Sequence, residues 1–157
     1  MSIEKVKAYF AQYGIEHRVR EFEASTATVE LAAQAAGVEP ARIAKSLSFK
    51  LEERTILVVA AGDVKVDNAK YKNTFGGKAK MLTPEEAVER IGHAVGGVCP
   101  FAVNEGVEIY LDQSMQRFET VLPAAGSSNS CIELTMSELE QYARTDKWVD
   151  VCKSRAE

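Results

Sequence analysis

The sequence has few cysteines and histidines, and none of them forms a recognisable cluster. Its three cysteines are Cys99, Cys131 and Cys152, without any CxxC pair, and its two histidines are His17 and His93. Cysteines that are odd in number and far apart argue against both a disulfide framework and a zinc site. With so few histidines, a Cys-His or Ser-His-Asp catalytic arrangement would have few parts to use.

The sequence also lacks long apolar runs and strong charge. No run approaches the roughly 20 apolar residues of a membrane span, and residues 1–5 lack the apolar core of a signal peptide. A net charge of -4 over 157 residues does not suggest a protein that coats nucleic acid. No linker rich in glycine, serine or proline divides the chain, and no repeat is visible. We therefore expect one cytoplasmic domain over 1–157, with no membrane or DNA partner.

Apolar spacing, hydroxyl caps and terminal glycines predict the helices. The first extends from Ile3 to Tyr13, and the second from Val29 to Ala36. Thr83, Pro84 and Glu86 begin another helix, which we expect to end at Gly92. Thr135 and Glu138 form a capping box for a last helix, which ends near Arg144.

Period-two alternation and apolar runs predict the strands. The run over residues 55–61 is apolar almost throughout, which is typical of a central strand buried on both faces. The other predicted strands are residues 17–22, 43–50, 108–112, 130–134 and 148–151. Helices lie between hairpin-like strand pairs, so the fold class is mixed α/β with a sheet that is not purely parallel.

Lys45 interrupts an apolar row in the strand over residues 43–50. Ile43, Lys45, Leu47 and Phe49 share one face of that strand. Lys45 could lie at the strand end with its ammonium in solvent. It could instead point into a cleft and offer its charge to a phosphate or a developing oxyanion.

The stretch Gly96-Gly97-Val98-Cys99-Pro100-Phe101 has two glycines and a proline between apolar runs. Glycines allow a ligand to approach main-chain N–H groups closely, so this stretch is a candidate ligand loop. It could equally be a tight connection, because it lacks the spacing of a phosphate-binding or dinucleotide loop.

Four further features have a structural and a functional interpretation. The small-residue loop over residues 123–130 is either a solvated turn or a set of ligand-binding hydroxyls and N–H groups. Cys99 is more readily a packed residue than a nucleophile, and His93 more readily caps a helix end than acts as a base. The five lysines that interleave with Tyr71 and Phe75 are either a solvated face or a surface for stacking and backbone contact with nucleic acid, such as a tRNA end; they are Lys65, Lys70, Lys72, Lys78 and Lys80.

Taken together, four motifs resemble the YbaK/prolyl-tRNA synthetase-associated editing-domain family. They are Ala44-Lys45-Ser46-Leu47, the stretch from Gly96 to Phe101, Tyr110-Leu111-Asp112 and Pro123-Ala124-Ala125-Gly126-Ser127-Ser128. The resemblance implies a mixed, partly barrel-like sheet flanked by helices, and a cleft for the aminoacyl end of a mischarged tRNA. It implies hydrolysis of that ester, typically on a proline tRNA carrying cysteine or alanine, without a metal or organic cofactor.

The resemblance also implies roles for individual residues. Lys45 matches the family's active-site lysine, and Gly96, Gly97 and Pro100 match its glycine-x-x-x-proline loop. We expect main-chain N–H groups from Gly97 to Phe101 to hold the carbonyl oxygen or the amino-acid end. The remaining expected substrate contacts are Ser25, Thr26, Thr28, Val98, Cys99, Asn104, Asp112, Gly126, Ser127 and Ser128.

Other functions stay open at this point. A module that binds tRNA ends or an aminoacyl-tRNA synthetase, without catalysis, could keep the same lysine and loop. A hydrolase of small aminoacyl esters would fit the acidic composition. The amino acid cannot be chosen either, because one methylene changes discrimination by only about 1–3 kcal/mol.

Overall fold

A computed structural model describes residues 2–155 and shows a mixed α/β fold. The helices are α1 (Ser2–Ala11), α2 (Val29–Ala36), α3 (Asn68–Phe75), α4 (Pro84–Arg90) and α5 (Met136–Ala143). The strands are β1 (Arg20–Glu21), β2 (Ile43–Leu51), β3 (Arg54–Ala61), β4 (Val64–Val66), β5 (Val107–Asp112), β6 (Thr120–Pro123), β7 (Ser130–Cys131), β8 (Leu134–Thr135), β9 (Trp148–Val149) and β10 (Cys152–Ser154). No helix in this part of the chain is long and apolar enough to cross a membrane.

The main sheet has six strands in the order β8-β6-β2-β3-β5-β9 and curls into a half-barrel. β2 pairs antiparallel with β3 and parallel with β6, and β5 pairs parallel with β3 and β9. Two short antiparallel ladders, β1 with β7 and β4 with β10, lie outside this sheet. The mixed sheet confirms the predicted fold class.

The centre of the sheet is β3, as its apolar sequence predicts. Every residue from Thr55 to Ala61 is buried. On one side the ring of Tyr71 lies 5.0 Å from Phe49 and 4.8 Å from Phe75. Tyr71 and Phe75 are therefore core residues of α3, and the prediction that they stack on a nucleic acid is wrong.

The capping signals in the sequence are confirmed at three helices. The Thr28 hydroxyl accepts from Leu31 N at the start of α2, and Thr83 and Thr135 form capping boxes with Glu86 and Glu138. These helix starts depend on neighbours within four residues, so the sequence contains the whole signal.

The strand predictions at short, irregular segments needed correction. Residues 17–22 form part of a 3-10 helix (Glu16–Arg18) followed by the two-residue β1. Residues 130–134 divide into β7 and β8. Of the predicted final strand over residues 148–151, only Trp148 and Val149 form a strand, β9, and β10 begins beyond it at Cys152. The prediction also missed α3, although Asp67 caps its start and Gly76 ends it in the left-handed conformation.

One edge of β2 is incompletely paired, and this opens the fold beside it. β6 pairs with β2 only at Ile43 and Ala44. Further along, Lys50 N donates to Lys80 O at 2.9 Å and Leu82 N donates to Ser48 O at 3.1 Å. Because N–H and C=O directions alternate along an antiparallel strand, Ser46 turns its backbone groups toward the same edge, between these two paired stretches.

Three loops converge next to this edge. An added Cβ on Gly97 would lie 2.7 Å from Gly126 C and from Ser127 N, so the two loops are in backbone contact. An added Cβ on Gly96 would lie 3.1 Å from the Ser128 Cβ. Thr26 N donates to Ser128 O at 2.6 Å, which joins the third loop to the same wall.

We predict that Gly97→Ala destabilises the protein strongly, by about 2–4 kcal/mol, because its methyl group would meet backbone atoms that cannot rotate away. Gly106→Ala is the control. Gly106 has a φ of +87° but open space around it, so only about 1–2 kcal/mol of backbone strain is expected. Urea unfolding measures both; a Gly97→Ala protein as stable as Gly106→Ala would contradict the backbone contact.

An ion pair between the 3-10 helix and α5 makes the stability of the protein depend on pH. Arg18 donates to both carboxylate oxygens of Glu138, at 2.7 and 3.1 Å. This ion pair and the hydrogen bond from Thr135 N lower the pKa of Glu138 from 4.5 to about 2. A carboxyl group with a lowered folded pKa stabilises the protein above its unfolded pKa, and that stabilisation is lost as pH falls from about 4.5 to about 2.

We therefore predict that Glu138→Gln lowers the free energy of unfolding at pH 7 by about 1 kcal/mol, allowing for solvent screening. The glutamine oxygen keeps the capping hydrogen bond from Thr135 N, while the variant loses the charge and the second oxygen that accepts from Arg18. Chemical denaturation from pH 7 down to pH 2 should show a smaller acid-induced loss in the variant. Identical acid-induced losses in the two proteins would show that the ion pair contributes nothing.

Candidate active site

The incompletely paired edge of β2 forms the floor of an open cleft of about 380 Å3. Its walls are the loop before α2, the start of α2, and the loop after α4. Among the residues predicted for the site, the cleft brings together Thr26, Thr28, Lys45, Gly96 and Val98. They come from three separate parts of the chain.

Lys45 lies half-buried in this cleft, and its Nζ donates to Val64 O. Burial, and then the nearby positive charge of Arg155, lower the pKa of Lys45. The ammonium group has three N–H donors. One is used by Val64 O, so two can serve a ligand, in surroundings where solvent screens the charge less than at the surface.

The glycine loop contributes its first half to the cleft. Gly96 and Val98 line it, together with the exposed Val95. Gly97 N donates to Ala94 O at 3.0 Å, so this N–H closes a turn and is not the free donor that we expected. The role of Gly97 in the structure is the close packing against Gly126.

The second half of the loop faces away from the cleft, contrary to expectation. Phe101 is fully buried, with its ring 4.9 Å from that of Phe10. Cys99 is also fully buried, and burial raises the pKa of its thiol to about 12, which leaves it unsuited to act as a nucleophile. Pro100 is buried and lines a separate groove on the other side of the loop.

His93 supports this loop and does not cap a helix, so the predicted cap is wrong. Its ring is fully buried, and Nε2 lies 2.7 Å from Phe101 O. As Nε2 is the donor to that carbonyl, Nδ1 is the unprotonated nitrogen of the neutral ring. Burial lowers the pKa of His93, which favours this neutral form. The helix end is instead closed by backbone bonds from Ile91 and Gly92 to Ala87 O.

The small-residue loop is an ordered support for the cleft wall. The Ser127 hydroxyl lies 2.8 Å from Asn129 Oδ1 and 2.7 Å from Ser130 Oγ. Asn129 Nδ2 donates to Phe22 O at 2.9 Å. The hydrogen bonds of Ser127 and Asn129 therefore hold the loop in shape, and Ser128 is the exposed member next to Gly96. Ser25 is exposed and accepts from Ala27 N.

Two predicted substrate contacts lie elsewhere. Asn104 is exposed and donates its amide to Glu89 O at 3.1 Å, which fastens the end of α4. Asp112 is buried, and its two carboxylate oxygens accept from Ser114 N and Val151 N. Both side chains serve the fold, and neither lines the cleft.

The five lysines proposed for tRNA contact do not form one uniform surface. Lys70 donates to the Asp150 carboxylate and to Cys152 O, both at 3.0 Å. The other four are exposed; they are Lys65, Lys72, Lys78 and Lys80. Lys80 adjoins Met81, which is 61% exposed and lines the cleft.

Sequence reasoning missed some cleft residues, most clearly Ser46, Met81 and Val95. The period-two pattern placed Ser46 opposite the row of Lys45, but it could not show that β2 lacks a continuous neighbour there. Among residues 2–155, no group of three or more His, Cys, Asp or Glu side chains is arranged to hold a metal ion.

Comparisons with known proteins show which family this chain resembles along most of its length. The family model described as the aminoacyl-tRNA editing domain matches residues 23–142. The uncharacterized protein YwhH of Bacillus subtilis (strain 168) is 54% identical over 154 residues, which is 98% of each chain. A proline--tRNA ligase of Geobacillus sp. (strain WCH70) is 34% identical over 90 residues, 57% of this chain but only 16% of the ligase.

A solved structure gives the same result at the level of the fold. The crystal structure of a proposed trans-editing enzyme for prolyl tRNA synthetase superposes with a TM-score of 0.87. The two sequences are 32% identical, and the match covers 98% of both chains. The match of the family model to most of the sequence, and this superposition along the whole fold, show that the chain belongs to the aminoacyl-tRNA editing domain family.

Proposed function

We propose that this protein is a trans-acting deacylase that hydrolyses the ester of mischarged aminoacyl-tRNA, on a proline tRNA carrying cysteine or alanine. The observation that carries the proposal is the half-buried Lys45 in a cleft of the editing-domain fold. The relation to proline--tRNA ligases and to a proposed trans-editing enzyme supports the proline tRNA as the substrate. It also supports an aminoacyl-tRNA synthetase as a second partner.

Hydrolysis of an aminoacyl ester requires few catalytic groups, because the ester is already activated. Water adds to the ester carbonyl, the carbonyl oxygen becomes an oxyanion, and the ribose oxygen leaves with a proton. Stabilising that oxyanion and holding the ester in place can supply most of the rate enhancement. A Cys-His or Ser-His-Asp arrangement is therefore not required.

Lys45 is the group that we assign to the developing negative charge. Its ammonium retains two N–H donors after bonding to Val64 O, and its partial burial strengthens its electrostatic effect. Gly96 and Val98 line the cleft, so their main-chain N–H groups are the candidates for additional donors. Gly97 is excluded from this role because Ala94 O already accepts its N–H.

The rest of the substrate would lie along the cleft walls. Thr26 and Thr28 are the proposed contacts to the aminoacyl group, and Ser25 and Ser128 extend the same wall toward its exposed end. The exposed Lys78 and Lys80 precede Met81 at the cleft and are the proposed contacts to the acceptor-stem phosphates.

We predict that Lys45→Met slows deacylation about 100-fold or more, because it keeps an apolar stem of similar length and removes the charge. Lys80→Met is the matched control, since it removes an equal charge from an exposed site and should weaken only tRNA binding. The assay follows loss of ester from proline tRNA charged with cysteine, alanine or proline, at catalytic enzyme concentrations.

Multiple turnovers on a mischarged tRNA, retained by Lys80→Met and abolished by Lys45→Met, would support the proposal. A Lys45→Met protein that deacylates as fast as the unmodified protein would rule out the role of Lys45. Tight tRNA binding with no turnover would indicate the binding-module function instead.

A further inference from the structure

A separate groove lies on the other side of the glycine loop from the cleft, and the proposed function does not use it. Its volume is about 580 Å3. It is lined mainly by residues 102–109, which include the start of β5, and by residues 142–147, which span the end of α5 and the loop after it. We call it the β5-edge groove, because one edge of that strand is open to it.

β5 is paired along one edge and only partly along the other. β3 pairs with most of its length, whereas β9 pairs only with its last two residues. On the β9 side, Leu111 N donates to Lys147 O at 2.9 Å, and the Thr145 hydroxyl donates to Ile109 O at 2.8 Å. Backbone groups of alternate residues point to the same edge of a strand, so Val107 N–H, Val107 C=O and Ile109 N–H also turn to this side. No strand of the described chain pairs with these three groups.

The open stretch of β5 is accessible to another polypeptide chain. Val107 is partly exposed, and Glu105 and Gly106 before it are exposed. The unpaired groups recur at every second residue, about 6.8 Å apart, which is the repeat of an extended polypeptide. Two N–H donors and one acceptor match the C=O and N–H groups of such a chain, whereas a nucleic-acid backbone offers no N–H donor. An unpaired sheet edge of this kind is a template for the addition of a strand.

The carboxylates of the β5-edge groove favour a basic partner. Glu105, Glu108 and Asp146 all line it. Glu108 is paired with Arg54, which donates to its two carboxylate oxygens at 2.8 and 2.9 Å. Glu105 and Asp146 are exposed, and the side chain of neither forms an ion pair or a hydrogen bond within residues 2–155. Two carboxylates therefore remain for a ligand.

The two cations that line the groove already have partners. Arg144 donates to the Tyr13 hydroxyl at 3.2 Å, and its guanidinium lies 5.0 Å from the centroid of the Tyr9 ring. Lys147 Nζ lies 5.6 Å from the centroid of the Tyr110 ring. Such contacts attract a cation to the face of its aromatic partner. The charges of the groove that lack a partner are therefore negative, and they complement lysine or arginine.

We propose that the β5-edge groove binds an extended segment of a partner protein, which adds to β5 as a strand and places lysine or arginine beside Glu105 and Asp146. Backbone hydrogen bonds to Val107 and Ile109 supply affinity, and the two carboxylates supply the preference for basic side chains. The segment occupies the edge position that β9 leaves open. The groove shares no lining residue with the cleft, so this inference does not depend on the deacylase proposal.

The test is an NMR titration of the protein with a capped peptide of alternating valine and lysine. Two matched peptides are the controls: one has glutamate in place of lysine, and the other has every backbone nitrogen methylated, which blocks strand pairing. We expect saturable backbone shifts at residues 107–109 and 144–147. At low salt the lysine peptide should bind about tenfold more tightly than the glutamate peptide. The methylated peptide should produce no saturable shifts.

A Glu105→Gln/Asp146→Asn double variant tests the two carboxylates. The preference for the lysine peptide over the glutamate peptide should fall from about tenfold to about twofold or less, because both unpaired charges are lost. Both side chains are exposed, so the Tm should not change. Deacylation of mischarged tRNA should also be unaffected, because neither residue lines the cleft.

Equal binding of the methylated peptide would overturn the strand addition, and an unchanged lysine preference in the double variant would overturn the role of the carboxylates. If no peptide binds, the inference is wrong as a whole, and the charges at the groove instead protect a free edge from pairing. None of these results bears on the deacylase proposal, which is tested separately by the Lys45 variant.

Discussion

The incomplete pairing of one edge of β2 is the constraint on which the site depends. β2 pairs with β3 along its length, but its other edge is paired only at Ile43 and Ala44, and again at Ser48 and Lys50. A continuous neighbour would satisfy the backbone of Ser46 and close the cleft. The gap leaves a floor made of strand backbone, which is rigid because β3 holds the opposite edge. Lys45 extends from this floor, so its position is fixed by the sheet and not by a loop.

The walls of the cleft depend on close backbone packing that glycine alone permits. Gly97 meets Gly126 and Ser127 without room for a methyl group, and Gly96 lies against Ser128. His93 fixes the far end of the same loop through Phe101 O. The hydrogen bonds within this wall leave the Thr26 hydroxyl unpartnered. A rigid floor with a charged side chain and a wall fixed by backbone packing are suited to hold a small acyl group, because little order must be gained on binding.

Local signals made much of this architecture predictable from the sequence. Thr28, Thr83 and Thr135 cap helices where the sequence places them, and the apolar run of β3 is buried on both faces. The pattern also singled out Lys45 and the glycine loop. Contacts distant in the chain were not predictable. From its sequence motif Asp112 was predicted to contact the substrate, but in the fold its carboxylate accepts a hydrogen bond from Val151 N. Tyr71 was predicted to stack on a nucleic acid, but α3 packs its ring against Phe49. Ser46 lies on an open stretch of the β2 edge because β6 pairs only with Ile43 and Ala44, and no local pattern contains this information.

The most direct test of where the aminoacyl end binds is an NMR titration of the protein with a non-hydrolysable aminoacyl-adenosine amide. If the cleft is the site, the largest backbone shifts will occur at residues 26–28, 45–48 and 96–98, and they will saturate together. The separate groove lined by residues 102–109 and 142–147 will serve as the internal reference. The largest shifts in that groove, with residues 45–48 unaffected, would contradict the assignment of the cleft and the roles given to Lys45 and Thr26.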